Sequence, residues 1–357
     1  MTDHLSRDQI VSRVREEQKE VNIKISSDEL IVHLRTKNDK LQNEIERLLK
    51  VLGEKKDTAD LVARAVMAAE PFKRFEWKRP PKPGSPIIPV LKLSDWHIGE
   101  KINPAETEGF GEFNWYIAQQ RVYTLVDDFI SWVMTQRTGY PIDECAVFFE
   151  GDYISGDIHK ELQVTNEFPI PVQTANAGLL MGEAIARIAP HFAKVSVYQV
   201  GADNHGRLQP KPQFKQKTQN SMSYLCHVIC NSYLAKHTNL NIVTSDGIKY
   251  LANVNGKKFL IEHGDTVKAW MGIPYYGLER HRAREATRRM NSEIGFDYQS
   301  IAHWHVPGMV SGNIIINGSL SGTTEFDHGC GRHSGPSQVA FLVHPKHGVF
   351  NFTPFKA

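Results

Sequence analysis

Apolar and polar positions follow two different periods along the chain, and the change comes near residue 80. Ahead of it, apolar residues recur at Ile31, Leu34, Leu41, Ile45, Leu48 and Leu52 in a polar, helix-forming stretch. With Asn38 in the series the steps alternate three and four, the spacing of one helix face. Ile31, Asn38, Ile45 and Leu52 then fall at heptad position a, and Leu34, Leu41 and Leu48 at d. Ile at a with Leu at d favours two strands, and a single Asn at a fixes register at some cost in stability. Ser26 and Glu29 have capping-box spacing and mark the helix start. The pattern predicts a homodimer through a coiled coil over 31–52; a helix packed on its own domain would show similar periodicity. Residues 57–78 lose the pattern, and Arg79-Pro-Pro-Lys-Pro-Gly-Ser-Pro86 reads as a stiff, extended linker. The expected organisation is a polar segment at 1–25, a coiled-coil helix at 26–56, a linker at 57–86 and one domain at 87–357.

From residue 87 the pattern becomes α/β. Apolar, β-branched runs at 87–93, 145–150, 195–200, 258–262, 313–317 and 338–343 read as buried strands. Stretches of helical period lie between several of them, at 115–136, 174–188 and 217–236. No internal repeat and no low-complexity tract interrupts them.

Composition narrows the classes without choosing among them. The 357 residues are 41% hydrophobic and 23% charged, ordinary globular usage that excludes wholesale disorder. Lys plus Arg less Asp plus Glu gives 42 − 40 = +2, so the whole-chain charge predicts no partner and only local clusters can. Four cysteines are too few for a disulfide scaffold. Cys226 and Cys230 lie one helical turn apart, but no second pair completes a structural zinc site. Reduced thiols in a reducing compartment fit better. The polar start shows no targeting segment, and no run is long enough to cross a bilayer. These features predict a soluble, cytoplasmic protein with no membrane contact, in the host cytoplasm if phage-encoded.

The residues just past the strand ends are the informative ones. The first strand ends in Ser94-Asp95-Trp96-His97, the second in Gly151-Asp152, the third in Gly201-Ala-Asp-Asn204-His205-Gly206-Arg207. The run at 258–262 ends in His263-Gly264-Asp265, and a short run near 298–302 in His303-Trp304-His305. In α/β sheets the carboxyl edge of the strands is where ligand sites are built. Asp95 with His97, and His303 with His305, are i, i+2 pairs that in extended backbone project to one side. Glycines beside Asp152, His205 and His263 permit tight turns. Imidazole, carboxylate and amide oxygen without thiolate suit Mn, Fe, Zn or Ni. The supply exceeds the needs of one ion; two ions sharing a carboxylate would use it fully. Each piece alone is weak, since loop histidines are usually solvated and a Gly-Asp is usually a turn. Five pieces in one order, each at a strand end, form a specific set.

That order resembles the calcineurin-like metallophosphoesterase family, whose pattern runs D-x-H, G-D, G-N-H-[D/E], H, G-H-x-H, over about residues 87–320. The resemblance implies a metallophosphoesterase-type β-sandwich flanked by helices, here preceded by the coiled-coil helix. It implies one metal held by Asp95, His97, Asp152 and His305, and a second by Asp152, Asn204, His263 and His303, with Asp152 bridging. His205 would stand by the scissile phosphate as general acid or transition-state stabiliser. Two divalent ions are expected, Mn²⁺ first, with Fe, Zn, Ni or Mg as alternatives. Such ions about 3.5–4 Å apart clamp a phosphoryl group and acidify a bridging water, whose hydroxide attacks phosphorus in line. The chain departs from the pattern in three places. Ala202-Asp203 separates the Gly from Asn204, Gly206 replaces the acid after His205, and Ala302 replaces the last Gly. No departure removes a ligand. Asp203 is a candidate partner for the His205 ring, and Arg207 a candidate bidentate phosphate contact.

Two clusters lean toward nucleic acid. The segment 277–290 is a predicted helix on which Arg280, Arg284 and Arg288 form an i, i+4, i+8 stripe, with Arg282 and Arg289 beside it. Trp270, Tyr275 and Tyr276 precede it and are aromatic enough to stack bases. Lys211, Lys215 and Lys217 add positive charge after the His205 motif. The alternative is a solvated basic helix with Glu279 and Glu285 as pair partners. The chain looks most similar to phage and bacterial repair-exonuclease-type members. Three readings compete. The first is a two-metal phosphodiester hydrolase acting on nucleic acid, DNA foremost, working as a dimer and with room for a protein partner in a repair or replication complex. The second is a small-molecule phosphodiesterase or phosphatase. The third is a non-catalytic assembly subunit, which the complete ligand set opposes. Asp157 and His159, the stretch Gly318–Glu325, and His328 with His333 carry no assigned role.

Overall fold

The computed structural model describes residues 32–44, 46, 84–269, 274–290 and 292–357. The chain divides into two compact units, Met1–Lys78 and Arg79–Ala357. In the first, residues 32–44 are helical, with Leu34 and Leu41 at 55% and 51% exposure. The other apolar heptad positions, Ile31, Ile45, Leu48 and Leu52, lie outside the described residues, as do segment 1–25 and the linker up to Pro83.

The second unit holds two sheets. In the six-stranded one, β1 (Ile88–Leu93), β2 (Glu144–Phe149), β3 (Lys194–Gln199) and β4 (Leu240–Thr244) run parallel. It is extended by antiparallel β10 (Ser337–His344) and β11 (Gly348–Lys356), in the order β11-β10-β1-β2-β3-β4. The five-stranded sheet has the order β5-β6-β7-β9-β8, from β5 (Lys249–Val254), β6 (Lys257–Glu262), β7 (Tyr298–Ile301), β8 (Gly308–Val310) and β9 (Ile314–Ile316). Strands β6, β7 and β9 are parallel neighbours.

Period-two alternation sends side chains to two different cores. Val90, Phe148, Val200, Phe341 and Val343 meet Ala252, Phe259, Ile261 and Ile315 between the sheets. Leu91, Leu93, Val147, Phe149, Val195 and Val197 face the other way, against α1 (Trp115–Gln136), α3 (Ile170–Ile188) and α4 (Met222–Tyr233). On the outside of the second sheet, Ile301, Ile314 and Ile316 pack with Leu278 of α5 (Tyr275–Arg289). The layers are helix, sheet, sheet, helix: the α/β sandwich flanked by helices that the resemblance implies. Two short helices, α2 (Leu162–Thr165) and α6 (Glu325–Gly329), sit in loops.

Local chemistry explains the helix ends. Asn114 caps α1 by accepting from Ile117 N, and the buried face runs Ala118, Val122, Leu125, Val126, Phe129, Val133. Helix α4 starts at Met222 and not at 217, because Ser221 caps it and the ammonium of Lys217 is drawn to Asp265, 2.6 Å away. Strands β4, β5, β8 and β11 are additions to the sequence pattern. All four lie at sheet edges and are half-exposed or short, so they lack the continuous apolar runs that mark the central strands.

One polar side chain breaks the alternation. Lys92, on the inter-sheet face of β1, is fully buried. Its Nζ donates to Ile301 O at 3.0 Å and Ile315 O at 2.6 Å, and lies 3.2 Å from Glu150 Oε2. It fastens the first sheet to the carboxyl end of β7 in the second.

Candidate metal centre

The five sequence pieces converge at one edge of the sandwich. Past the strand ends, backbone pairing continues: Asp95 N donates to Gly151 O at 3.0 Å, and Trp96 N to Asp152 O at 2.9 Å. A bridge between Ile98 and Ile154 closes this short ladder. It fixes the loops that carry Asp95, His97 and Asp152 against each other.

The structure corrects the expectation of extended backbone at the two i, i+2 pairs. Asp95, His97, Asp152, His303 and His305 all have left-handed φ, at 52°, 49°, 51°, 71° and 57°. For residues with a Cβ this conformation costs about 1–2 kcal/mol each, and such strain clusters where function fixes a side chain. The sharp turns aim the pairs inward. His97 Nε2 lies 3.2 Å from His305 Nε2, which is 3.5 Å from Asp95 Oδ1. On the other side, His263 Nε2 is 3.0 Å from both Asp152 Oδ2 and Asn204 Oδ1. Three sets of donor atoms each fall within 4.8 Å: Asp95–His97–His305, His97–Asp152–His205 and Asp152–His263–His303. Asp152 belongs to two of them and sits between the other groups.

Glycine is required at two positions. Gly151 has φ 91°, and a Cβ there would lie 2.8 Å from Asp203 Cβ. A Cβ on Gly206 would meet Ser223 Oγ, with Ser221 Oγ at 2.6 Å and Asp203 Oδ1 at 2.8 Å. There is no room for the acidic residue of the family pattern. Asp203 does not compensate by pairing with the His205 ring. Its carboxylate instead accepts from Asp152 N at 2.8 Å, Gly206 N at 2.9 Å and the Ser223 hydroxyl. The His205 ring takes Ser155 O, 2.6 Å from Nδ1, and its backbone N donates to Asp152 Oδ1 at 2.9 Å.

The residues fit divalent ions. His97 and His305 bring two imidazole nitrogens to 3.2 Å, a spacing that needs a proton or a cation between two lone pairs. His97 Nδ1 is buried without a hydrogen-bond partner. The Nδ1 atoms of His263 and His205 are taken by carbonyls, Glu150 O at 2.8 Å and Ser155 O, which leaves Nε2 as the nitrogen turned toward the donor cluster. Without metal, protons fill the role. Burial lowers His263 and His305, but Asp152 outweighs it at His263, and Asp327 and Asp95 at His305; both rise to about 10. Burial and neighbouring histidines push His97 well down, and push His303 to about 4. Burial would raise Asp152, but His263 and His205 hold it well below the ordinary carboxylate range.

The remaining candidate residues lie around this centre or away from it. The Arg207 guanidinium donates to Gln209 O and Pro210 O of its own loop, both at 3.0 Å. The His159 ring lies 5.9 Å from that of His205, tilted by 59°, and both His159 and Asp157 are exposed. Arg280, Arg284 and Arg288 are all exposed on α5, as is Lys215 in its loop. The helix is held from below: Lys249 Nζ lies 3.0 Å from Glu262 and 3.1 Å from Glu285, which also meets Arg288 at 3.6 Å and Arg289 at 3.2 Å. Tyr275 and Tyr276 are exposed; Trp270 lies outside the described residues.

Two acidic groups at the site carry no mark in the sequence motifs. Burial raises Glu100 to about 7, against a lowering pull from His205 and His305. Asp327 lies 3.8 Å from His305 Nδ1. Glu100 comes three positions after His97, but Asp327 lies 22 positions beyond His305 and only Thr324, its capping-box partner, marks it.

No known family model matches the chain, and no curated protein sequence matches it. Among solved structures it is similar to Vps29 of Entamoeba histolytica in complex with Zn²⁺. Identity there is 12% over 75% of this chain and 99% of that one, at a TM-score of 0.31. Vps29 of Chaetomium thermophilum gives 10% over 75% and 98%, at 0.29. Overlaps this loose carry no argument; the sandwich and its side-chain clusters stand on their own geometry. Among the described residues, no helix is long and apolar enough to cross a membrane.

Proposed function

We propose that the chain is a phosphodiester hydrolase that uses two divalent metal ions, and a nuclease acting on DNA. The observation that carries this is the chain of three donor groups, Asp95–His97–His305, His97–Asp152–His205 and Asp152–His263–His303, linked through His97 and Asp152. One ion would be held by Asp95, His97, Asp152 and His305, the other by Asp152, Asn204, His263 and His303. Ions there would supply charge neutralisation at phosphoryl oxygens and acidify water, which is what phosphate-ester hydrolysis needs. Mn²⁺ is the first choice for this oxygen and nitrogen donor set.

The protein's own groups do the rest. His205, fixed through Nδ1 on Ser155 O, presents Nε2 to a leaving oxygen, to stabilise its charge or deliver a proton. The strained loops hold the ligand side chains in place before substrate arrives. Nucleic acid as substrate rests on the outward Arg280–Arg284–Arg288 stripe and on exposed Lys215, Tyr275 and Tyr276. A dimer through 31–52 rests on the heptad pattern and on the exposure of Leu34 and Leu41.

The test is hydrolysis by metal-stripped protein with Mn²⁺ restored. Bis-(p-nitrophenyl) phosphate and its monoester analogue would run beside labelled single- and double-stranded DNA. Cleavage of the diester and of DNA, lost in Asp152→Ala, is the expected result. Diester or monoester turnover without DNA cleavage would replace the nuclease by a small-molecule phosphoesterase. No turnover with any divalent ion would refute the enzyme reading. Deleting residues 1–56 should give monomers that still cleave the small diester; a dimer that survives would reject the coiled coil.

A further inference from the structure

The imidazoles of the centre differ in what holds their second nitrogen. His263 and His205 place Nδ1 on backbone carbonyls, those of Glu150 and Ser155. His305 alone among these three faces a carboxylate, with Asp327 Oδ2 3.8 Å from its Nδ1 and both side chains largely buried, at 20% and 14% exposure. Asp327 is not free to swing. Its Oδ2 accepts from the Thr324 hydroxyl at 2.9 Å, in the capping box that opens α6, and Thr324 Oγ1 accepts from Asp327 N at 3.1 Å.

The segment bearing Asp327 is bolted to the same cluster. Ser319 Oγ and Leu320 N both donate to Asp95 O, at 3.0 Å each, and Ser334 Oγ donates to His305 O at 2.9 Å. Arg121 of α1 ties it down from behind, through Leu320 O at 2.8 Å and Ser321 O at 2.9 Å. The stretch 319–334 therefore touches Asp95 through its backbone and His305 at both its carbonyl and its ring. In the described hydrogen bonds it makes no contact with Asn204, His263 or His303.

We propose that Asp327 is a positioning residue for one of the two ions: it orients the His305 ring, makes Nε2 a stronger donor, and so sets the affinity of the Asp95–His97–His305 site without acting on the other. A carboxylate behind a ligating imidazole fixes its tautomer and raises its basicity, and losing such a partner typically costs about 10–100-fold in metal affinity. Asp327→Asn keeps the shape and the capping acceptor but removes the charge. The inference rests on the metal-binding reading above, and the test separates the two.

The experiment is an Mn²⁺ titration of the metal-stripped full-length chain by isothermal calorimetry, with the melting temperature of the metal-free protein measured alongside. Wild type should bind in two steps. In Asp327→Asn one dissociation constant should rise about 10–100-fold while the other stays within about threefold. Asp327→Glu should recover part of the loss. Thr324→Val, which removes the cap hydroxyl and keeps the carboxylate, should weaken the same step less than Asp327→Asn does. Two unchanged constants in Asp327→Asn would overturn the proposal. So would equal weakening of both steps, since that reports a general loosening of the edge. Wild-type protein that takes up no ion would overturn the metal-binding reading itself.

Discussion

Replacing Lys92 by Met is the sharpest probe of how the centre is supported. Lys92 and Glu150 are both fully buried, 3.2 Å apart, in the layer between the sheets. Burial lowers Lys92 and raises Glu150, while each holds the other partly charged. Methionine fills the volume of the lysine stem and leaves Glu150 without a cation. Removing one partner of a buried pair costs about 3–5 kcal/mol. Glu150 has an exit, because it can take a proton. From its ordinary value of 4.5 to pH 7 is two and a half pH units, so that exit caps the charge penalty at about 3.5 kcal/mol. The carbonyls that lose Nζ add less, since Ile301 O keeps the Asn317 N–H at 2.9 Å. The pH dependence has a definite sign. In the variant, folded Glu150 binds its proton more tightly than the unfolded chain does, so stability rises as pH falls toward 4.5. Relative to wild type, whose own Glu150 is raised less because Lys92 faces it, the deficit should shrink by at most about 1.4 kcal/mol per pH unit over that window. Lys92→Met/Glu150→Gln should recover most of it at pH 7, because no uncompensated charge remains. Urea denaturation of the four proteins at pH 7.0 and 5.5 measures this cycle. A Lys92→Met deficit below about 1 kcal/mol, a deficit that ignores pH, or a double variant as weak as the single one would refute the reasoning.

His227 gives a second pH signature. Burial pushes it to about 3, so the unfolded chain binds its proton first and stability is lost as pH falls from 6.5 toward 3. His227→Gln, compared with wild type by urea denaturation, should remove about 1.4 kcal/mol of this loss per pH unit; parallel curves would refute it. Gly206→Asp introduces a carboxylate after His205 but collides with Ser221, Ser223 and Asp203. It should lower the melting temperature and metal uptake together, and wild-type values for both would show that the loop can yield. Metal binding at pH 8 should release the protons held by His263 and His305, both near 10 without metal. Calorimetry in buffers of different ionisation enthalpy reads this directly, and zero release would mean that these nitrogens are not ligands.

The metal edge is legible in the sequence because each donor comes after a strand, and strands of central type announce themselves. The apolar runs before Asp95, Asp152, Asn204 and His263 are the buried strands β1, β2, β3 and β6 within a residue or so. Parallel pairing in two sheets then carries their ends to one edge without further information. The hidden part depends on contacts between distant segments. Nothing around Asp327 in the sequence says that a capped turn will lie behind His305. Lys92 reads as a polar intrusion in an apolar run until the second sheet supplies Ile301 O, Ile315 O and a place beside Glu150. Gly206, where the resembled pattern has an acid, leaves the partner of the His205 ring open in sequence, with Asp203 as candidate; in the structure Ser221 and Ser223 crowd the turn, and Ser155 O holds the ring.

The left-handed backbone at five predicted ligands shows why such a site needs this particular edge. An isolated loop would relax Asp95, His97 and Asp152 out of the left-handed region, since the strain of about 1–2 kcal/mol each exceeds what one exposed hydrogen bond returns. Here the backbone bonds from Asp95, Trp96 and His97 to Gly151 and Asp152 accompany that conformation, and the Lys92–Glu150 pair anchors the strands from which both loops spring. These contacts assign the strain to the sandwich: it has backbone partners for the strained loops within the fold itself. Metal-stripped protein should therefore keep the loop geometry, and protection of the Trp96 and His97 amides from hydrogen exchange should survive chelation. Loss of that protection on chelation, with the sandwich amides still protected, would show that the ions and not the fold hold the ligands in place.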